Sequence, residues 1–256
     1  MNLNFDISLK SGYKSASQMA RVLSEDWVAR NMYCPICGAS TLQHEVANAA
    51  VKDFTCDKCN SQFELKSSKK NSDKFSSSVP SGEYGTMIKR ITSLENPNFF
   101  FMHYYDDRVV SLIIVPKFFF VPGCVQPRKP LTKPAKRAGW QGSNIKLKEI
   151  PDYAKIYIVR NGVVVSKERV LEQYKKVYSL KVEDIEARGW INDVLKSLER
   201  FGNTFTLPEI YSCVDELKVK HPCNNNIKAK IRQQLQILRD KGVVCFVSRG
   251  VYKKII

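Results

Sequence analysis

Apolar and polar positions along the first 180 residues follow two different periods. Met19, Val22, Leu23 and Trp27 recur at helical spacing, and Ser15 followed by Gln18 has the form of a capping box at the start of that stripe. Tyr84, Met87, Ile88, Ile91 and Leu94 predict a second helix, halted by Asn96 and Pro97. Continuous apolar runs follow. FFFMHYY (99 to 105) and VVSLIIV (109 to 115) meet at Asp106-Asp107, and IYIV (156 to 159) and VVV (163 to 165) meet at Asn161-Gly162. Both pairs read as hairpins, because Asn, Asp and Gly tolerate the left-handed backbone of tight turns. Helices flanking buried strands predict a layered α/β (α+β) domain.

The pattern changes near residue 180. From there the order is helix, short strand at Thr204 to Thr206, helix, long helix, then VVCFV and VYKKI joined at Ser248-Arg249-Gly250. That order predicts a winged helix-turn-helix. The expected division is 1–180 and 181–256.

Charge narrows the partners. The chain of 256 residues has 41 Lys and Arg against 25 Asp and Glu, a net charge of +16. Such an excess favours a polyanion, whether DNA, RNA or an anionic membrane surface. No apolar run reaches the roughly 20 residues of a membrane span, and MNLNFDISLK lacks the plan of a secretory signal, so a cytoplasmic protein is expected.

Among the eight cysteines, Cys34-x₂-Cys37 and Cys56-x₂-Cys59 have the spacing of a four-thiolate zinc site. Iron, or coincidental core cysteines, are the alternatives. His44 lies between the pairs and reads as a surface histidine. Cys124, Cys213, Cys223 and Cys245 have no partner spacing and are expected in the core. Through the second pair runs DFTCDKCNSQFELK. On a strand, FELK places Glu64 and Lys66 on one face and Phe63 and Leu65 on the other. Asp53 and Glu64 are carboxylates able to hold Mg²⁺, and Lys66 would position or deprotonate water and offset transition-state charge. The plain alternative is a solvent-facing strand with ordinary charges. If Cys56 to Cys59 connects the two strands, a zinc ion would clamp the hairpin that carries these groups.

The residues that join these features resemble a known family. EDWV, YCPICG, CDKCNSQFELKS, NPNFFF, RKPL, RAGW and KIRQQLQILRDKG are similar to stretches of the DpnI-like methyl-directed restriction endonucleases, in the PD-(D/E)xK nuclease superfamily. The resemblance spans both domains. It implies a restriction-endonuclease-like catalytic domain with a zinc knuckle, a winged helix, and Mg²⁺-dependent cleavage of double-stranded DNA at GATC sites carrying N⁶-methyladenine. It also implies that Asp53, Glu64 and Lys66 are catalytic and that the Leu65 carbonyl is a further Mg²⁺ ligand. Lys52 stands where the motif has its proline.

Two stretches read as DNA-facing. Between 218 and 256 Asp240 is the only acid among many lysines and arginines. Ile227, Ile231, Leu235 and Leu238 form one helical stripe, which turns Asn225, Asn226, Ala229, Arg232, Gln233 and Gln236 outward, with Arg249 at the wing tip. Asn and Gln pair bidentately with adenine, and Arg with guanine. QPRKPLTKPAKRAGWQG (126 to 142) is basic, proline-rich and free of acids; Arg137 and Trp140 make it a candidate DNA-tracking loop, with a flexible linker as the alternative. A non-catalytic zinc and winged-helix transcription regulator is the competing function, and no obligate protein partner is evident.

Overall fold

The computed structural model describes residues 1–45, 52–93 and 96–255. In chain order the first part contains α1 (Ala16–Asn31), β1 (Gln43–His44), β2 (Phe54–Thr55), β3 (Gln62–Lys69), β4 (Val79–Glu83), α2 (Tyr84–Ile91), β5 (Asn98–Tyr105) and β6 (Arg108–Val115). It continues through β7 (Val125–Pro127), β8 (Gly142–Ile145), β9 (Ile156–Arg160), β10 (Val163–Val164) and α3 (Lys167–Tyr178). Among the described residues, seven strands form one sheet in the order β1-β2-β3-β5-β6-β9-β10. β3 and β5 run parallel, so the chain must cross over between them, and α2 lies on that crossover. β4, β8 and β7 make a second, three-stranded sheet.

Both expected hairpins form. Asp106 and Asp107 have φ of 45° and 56°, and Asn161 and Gly162 have 48° and 72°, the positive pair that lets a two-residue turn match the strand twist. β5 is buried from Asn98 to His103, as a central strand covered on both faces should be, and Phe63 stacks on Phe100 at 5.0 Å. α1 covers one face of β3, where Ser24 Oγ donates to Ser67 Oγ at 3.0 Å. Its expected capping box is absent: Ser15 is the cap residue, but its hydroxyl pairs with Ser17 Oγ at 2.8 Å. α2 spans the expected stripe through Ile91; Leu94 lies outside the described residues.

The winged helix comprises α4 (Ile185–Leu198), β11 (Thr204–Thr206), α5 (Leu207–Tyr211), α6 (Val214–Lys220), α7 (Ile227–Asp240), β12 (Val244–Ser248) and β13 (Val251–Lys254). The single helix expected after β11 is two, with the break at Ser212-Cys213. Thr206 and Glu209 form a complete capping box at the start of α5. Ile227, Ile231, Leu235 and Leu238 are buried, and Gln234 joins them. α4 also docks on the sheet domain. Asn192 Nδ2 donates to Phe119 O at 2.7 Å, Arg188 Nη1 to Ile91 O at 3.4 Å, and Glu199 Oε1 accepts from Asp152 N at 2.6 Å. Among the described residues no helix is long and apolar enough to cross a membrane.

Candidate active site and nucleic-acid interface

Two turns of the same design bring the four cysteines together. Gly38 N donates to Cys34 O and Asn60 N to Cys56 O, at 2.9 and 2.8 Å. In each turn the residue after the second cysteine takes positive φ, 78° at Gly38 and 54° at Asn60, conformations that Gly and Asn tolerate best. All four sulfurs lie within 4.8 Å of one another, with Cys34 to Cys59 at 3.7 Å and Cys37 to Cys56 at 3.6 Å. A tetrahedral ion with Zn–S bonds of about 2.3 Å needs sulfur separations of about 3.8 Å, so this four-cysteine cluster fits zinc. Burial pushes the Cys34 thiol up, which makes a bound cation the natural means of holding it as thiolate. The remaining cysteines divide: Cys124 and Cys213 are buried as expected, but Cys245 is half-buried and Cys223 exposed. Cys223 lies in the loop before α7 and Cys245 on the small wing sheet, where little packs over them.

The second cysteine pair closes the β2–β3 turn and so fixes what stands beside it. Asp53 N donates to Phe63 O at 2.9 Å, and the Asp53 carboxylate accepts from Leu65 N at 2.6 Å. Phe63 and Leu65, two residues apart, present their backbone groups to the same strand edge. β2 begins after Asp53, so beyond it the Leu65 backbone meets the Asp53 side chain in place of a paired strand. Phe63 and Leu65 side chains are buried on one face, while Lys66 Nζ sits 2.5 Å from Glu64 Oε1 on the other. Asp53, Glu64, Leu65 and Lys66 thus converge. Burial raises the Asp53 carboxyl, and the Glu64 charge raises it further, against the lowering effect of the Leu65 hydrogen bond.

Three neighbours were not singled out from the sequence as part of this site. Glu25, from α1, is raised first by burial and then by the Asp53 charge. Its carboxylate holds His44 Nε2 at 3.2 Å and Arg21 Nε at 3.9 Å, so His44 is a surface residue with a partner beside the site. Arg90 of α2 reaches Glu64 Oε2 at 3.5 Å. No local spacing signals any of these; Glu25 lies within EDWV, which drew notice only through its resemblance.

α2 also connects this cluster to the basic loop. Tyr84 N donates to Gln141 O at 2.9 Å, where residues 128 to 141 join β7 to β8. The loop has internal order and is not a free linker. Gly139 N donates to Leu131 O and Trp140 N to Arg137 O, at 2.9 and 3.0 Å, with Gly139 at φ 83°. Trp140 is half-buried between the Arg137 guanidinium, 5.0 Å from its ring, and Gly142, where a Cβ would stand 2.9 Å from the indole. On the winged helix, Asn225, Asn226, Ala229, Arg232, Gln233, Gln236 and Arg249 are all exposed. Lys218 Nζ touches Asn225 Oδ1 at 3.3 Å, and Asn226 is the residue before the first turn of α7.

The fold and the site together describe a nuclease-like α/β domain with a cluster of four cysteines, joined to a DNA-binding winged helix. Residues 1–183 match the profile of the DpnI, or Dam-replacing, family, and residues 186–254 match that of the Dam-replacing HTH domain. The chain belongs to this family, which implies a nuclease and supports a methyl-directed restriction endonuclease. The non-catalytic regulator is not favoured.

Proposed function

We propose that the protein is a type II, Mg²⁺-dependent endonuclease that hydrolyses double-stranded DNA at GATC sites containing N⁶-methyladenine, in the cytoplasm. Residues 1–180 form its catalytic unit and 181–256 its reading unit, with no obligate protein partner. One observation carries the reading: Asp53, locked to the Leu65 N–H, shares a zinc-clampable hairpin with the Glu64–Lys66 pair. The donor set suits Mg²⁺. Asp53, Glu64 and the Leu65 carbonyl offer hard oxygens, and the buried Glu64 Oε2 is held by charge alone, with the Arg90 guanidinium 3.5 Å away. Held there, the ion would polarise the scissile phosphate and lower the pKa of an attacking water. Lys66 orients that water and offsets charge as the phosphorane-like transition state develops. Arg90 keeps Glu64 in place from the opposite side of the ion pair.

Methyl selectivity needs more than one contact, because a buried methyl contributes only about 0.8 kcal/mol and a pocket discriminates by roughly 1–3 kcal/mol. Two readers multiply their preferences: Trp140, supported by Arg137, in the catalytic unit, and the Asn225 to Gln236 face with Arg249 in the winged helix. The test is digestion of methylated and unmethylated plasmid at fixed salt with Mg²⁺ present or chelated. Fragments from methylated DNA with Mg²⁺ support the reading, and equal cutting of both plasmids contradicts the methyl dependence.

A further inference from the structure

The wing carries apolar surface that its own fold leaves uncovered. An aromatic row crosses its sheet: Phe205 of β11 is buried, Tyr252 of β13 is half-buried and stacks on it at 5.5 Å, and Phe246 of β12 is 52 % exposed, edge-on to Tyr252 at 5.8 Å. Beside Phe246 the β12–β13 ladder shifts register. Phe246 stands opposite Tyr252 and Ser248 opposite Val251, which leaves Val247, 56 % exposed, as the extra residue of a β-bulge. Two large apolar side chains thus stand next to each other on an edge strand, because β12 is last in the order β11-β13-β12. A bulge spoils an edge for pairing with another strand, which disfavours a second copy of this chain as its cover. Charge points to a different occupant. Lys241, Arg249 and Lys253 are exposed on the same hairpin, and residues 241 to 256 contain no acid. Lys254 is not among the outward cations, since its Nζ donates to the carbonyls of Leu198 and Phe201. Apolar side chains among cations suit a polyanion that also has apolar faces. Duplex DNA has them in its deoxyribose rings and base edges, whereas RNA interrupts its sugar faces with 2′-hydroxyls.

We propose that the wing makes an apolar, sequence-independent contact with duplex DNA, in which Phe246 and Val247 pack against deoxyribose and base edges while Arg249 and Lys253 hold the adjoining phosphates. This rests on the reading above that the winged helix binds DNA. It adds to the outward face of α7 a contact that salt does not screen: phosphate contacts weaken as counterions compete, and burial of apolar surface does not. Tyr252 holds Phe246 in place beforehand, so little side-chain freedom is lost when the duplex closes on it.

The test is fluorescence anisotropy of the full chain with two labelled duplexes, one carrying a methylated GATC site and one with no GATC, across a range of salt and without Mg²⁺. Phe246→Ser weakens binding to both duplexes about fivefold, as losing the burial of half a phenylalanine does, and leaves the slope of log K against log salt unchanged. Val247→Ser acts in the same way but more weakly. Phe246→Leu keeps the apolar surface and binds within about twofold of the parent protein, which separates a lost contact from a folding defect. Arg249→Gln instead lowers the salt slope by about 0.9. Ile7→Ser, at an exposed apolar residue of the sheet domain, changes nothing. Unchanged affinity in both serine variants overturns the proposal while duplex binding by the parent stands, and so does an equal loss in Phe246→Leu or a loss confined to the methylated duplex. A parent protein that binds neither duplex removes the DNA-binding reading and the proposal with it. Sedimentation showing a dimer without DNA that Phe246→Ser dissociates would assign the edge to a second copy and overturn it as well.

Discussion

Replacing Cys56 by Ser tests whether metal at the knuckle holds the β2–β3 hairpin together. Cys56 is fully buried, its sulfur is 3.6 Å from that of Cys37, and its backbone N–H and carbonyl close the turn through Ser61 O and Asn60 N. Structural zinc binding is coupled to folding by about 10–16 kcal/mol, comparable to the whole 5–15 kcal/mol stability of a domain. If one thiolate of four carries a quarter of that, its loss costs about 2.5–4 kcal/mol. For a chain of this size such a loss lowers the melting midpoint by about 5–16 °C. The assay is thermal unfolding by circular dichroism, paired with metal content per chain. Amide exchange at Leu65 should also accelerate, because its N–H is held by Asp53 at the mouth of the clamped turn. Cys223→Ser, at an exposed thiol, should melt within about 1 °C of the parent protein. A Cys56→Ser protein that retained its metal and melted with the parent would refute the clamp.

Asp53→Asn should abolish cleavage while preserving DNA binding. The Asp53 carboxyl is raised in the folded state, so its stabilising contribution is present below the ordinary value of 3.8 and lost as pH rises through the folded value; at neutral pH and without metal the uncharged variant should therefore unfold at a higher denaturant midpoint than the parent. His103 is shifted the other way: burial holds its pKa below 6.5, so its contribution is present above 6.5 and fades as pH falls through the folded value. His103→Gln should flatten that acid limb in urea midpoints measured across pH, and an unchanged limb would assign the loss to other groups. Trp140→Ala should reduce cleavage of methylated sites more than overall DNA affinity, in paired titrations at one salt concentration; equal losses would make Trp140 a general DNA contact.

What the sequence made legible was local. Cys-x₂-Cys spacing, the Asp106-Asp107 and Asn161-Gly162 turns and the 227 to 238 stripe each encode a short-range geometry, and each appears in the fold. The small β4-β8-β7 sheet went unread because VPSGE, VQP and GSNI have neither alternation nor β-branched runs. Parallel pairing of β3 with β5 is a crossover property that no single segment carries. Glu25, His44 and Arg90 gather around Asp53 and Glu64 only through tertiary packing, from α1, β1 and α2.

The most direct measurement is cleavage of one plasmid, prepared with and without N⁶-methyladenine at its GATC sites, by the parent protein and by Asp53→Ala in Mg²⁺. The account predicts a discrete fragment pattern from the methylated plasmid with the parent protein alone, none from the unmethylated plasmid, and none from Asp53→Ala, which still shifts methylated duplex in a binding gel. Undiminished cutting by Asp53→Ala would remove the proposed catalytic centre.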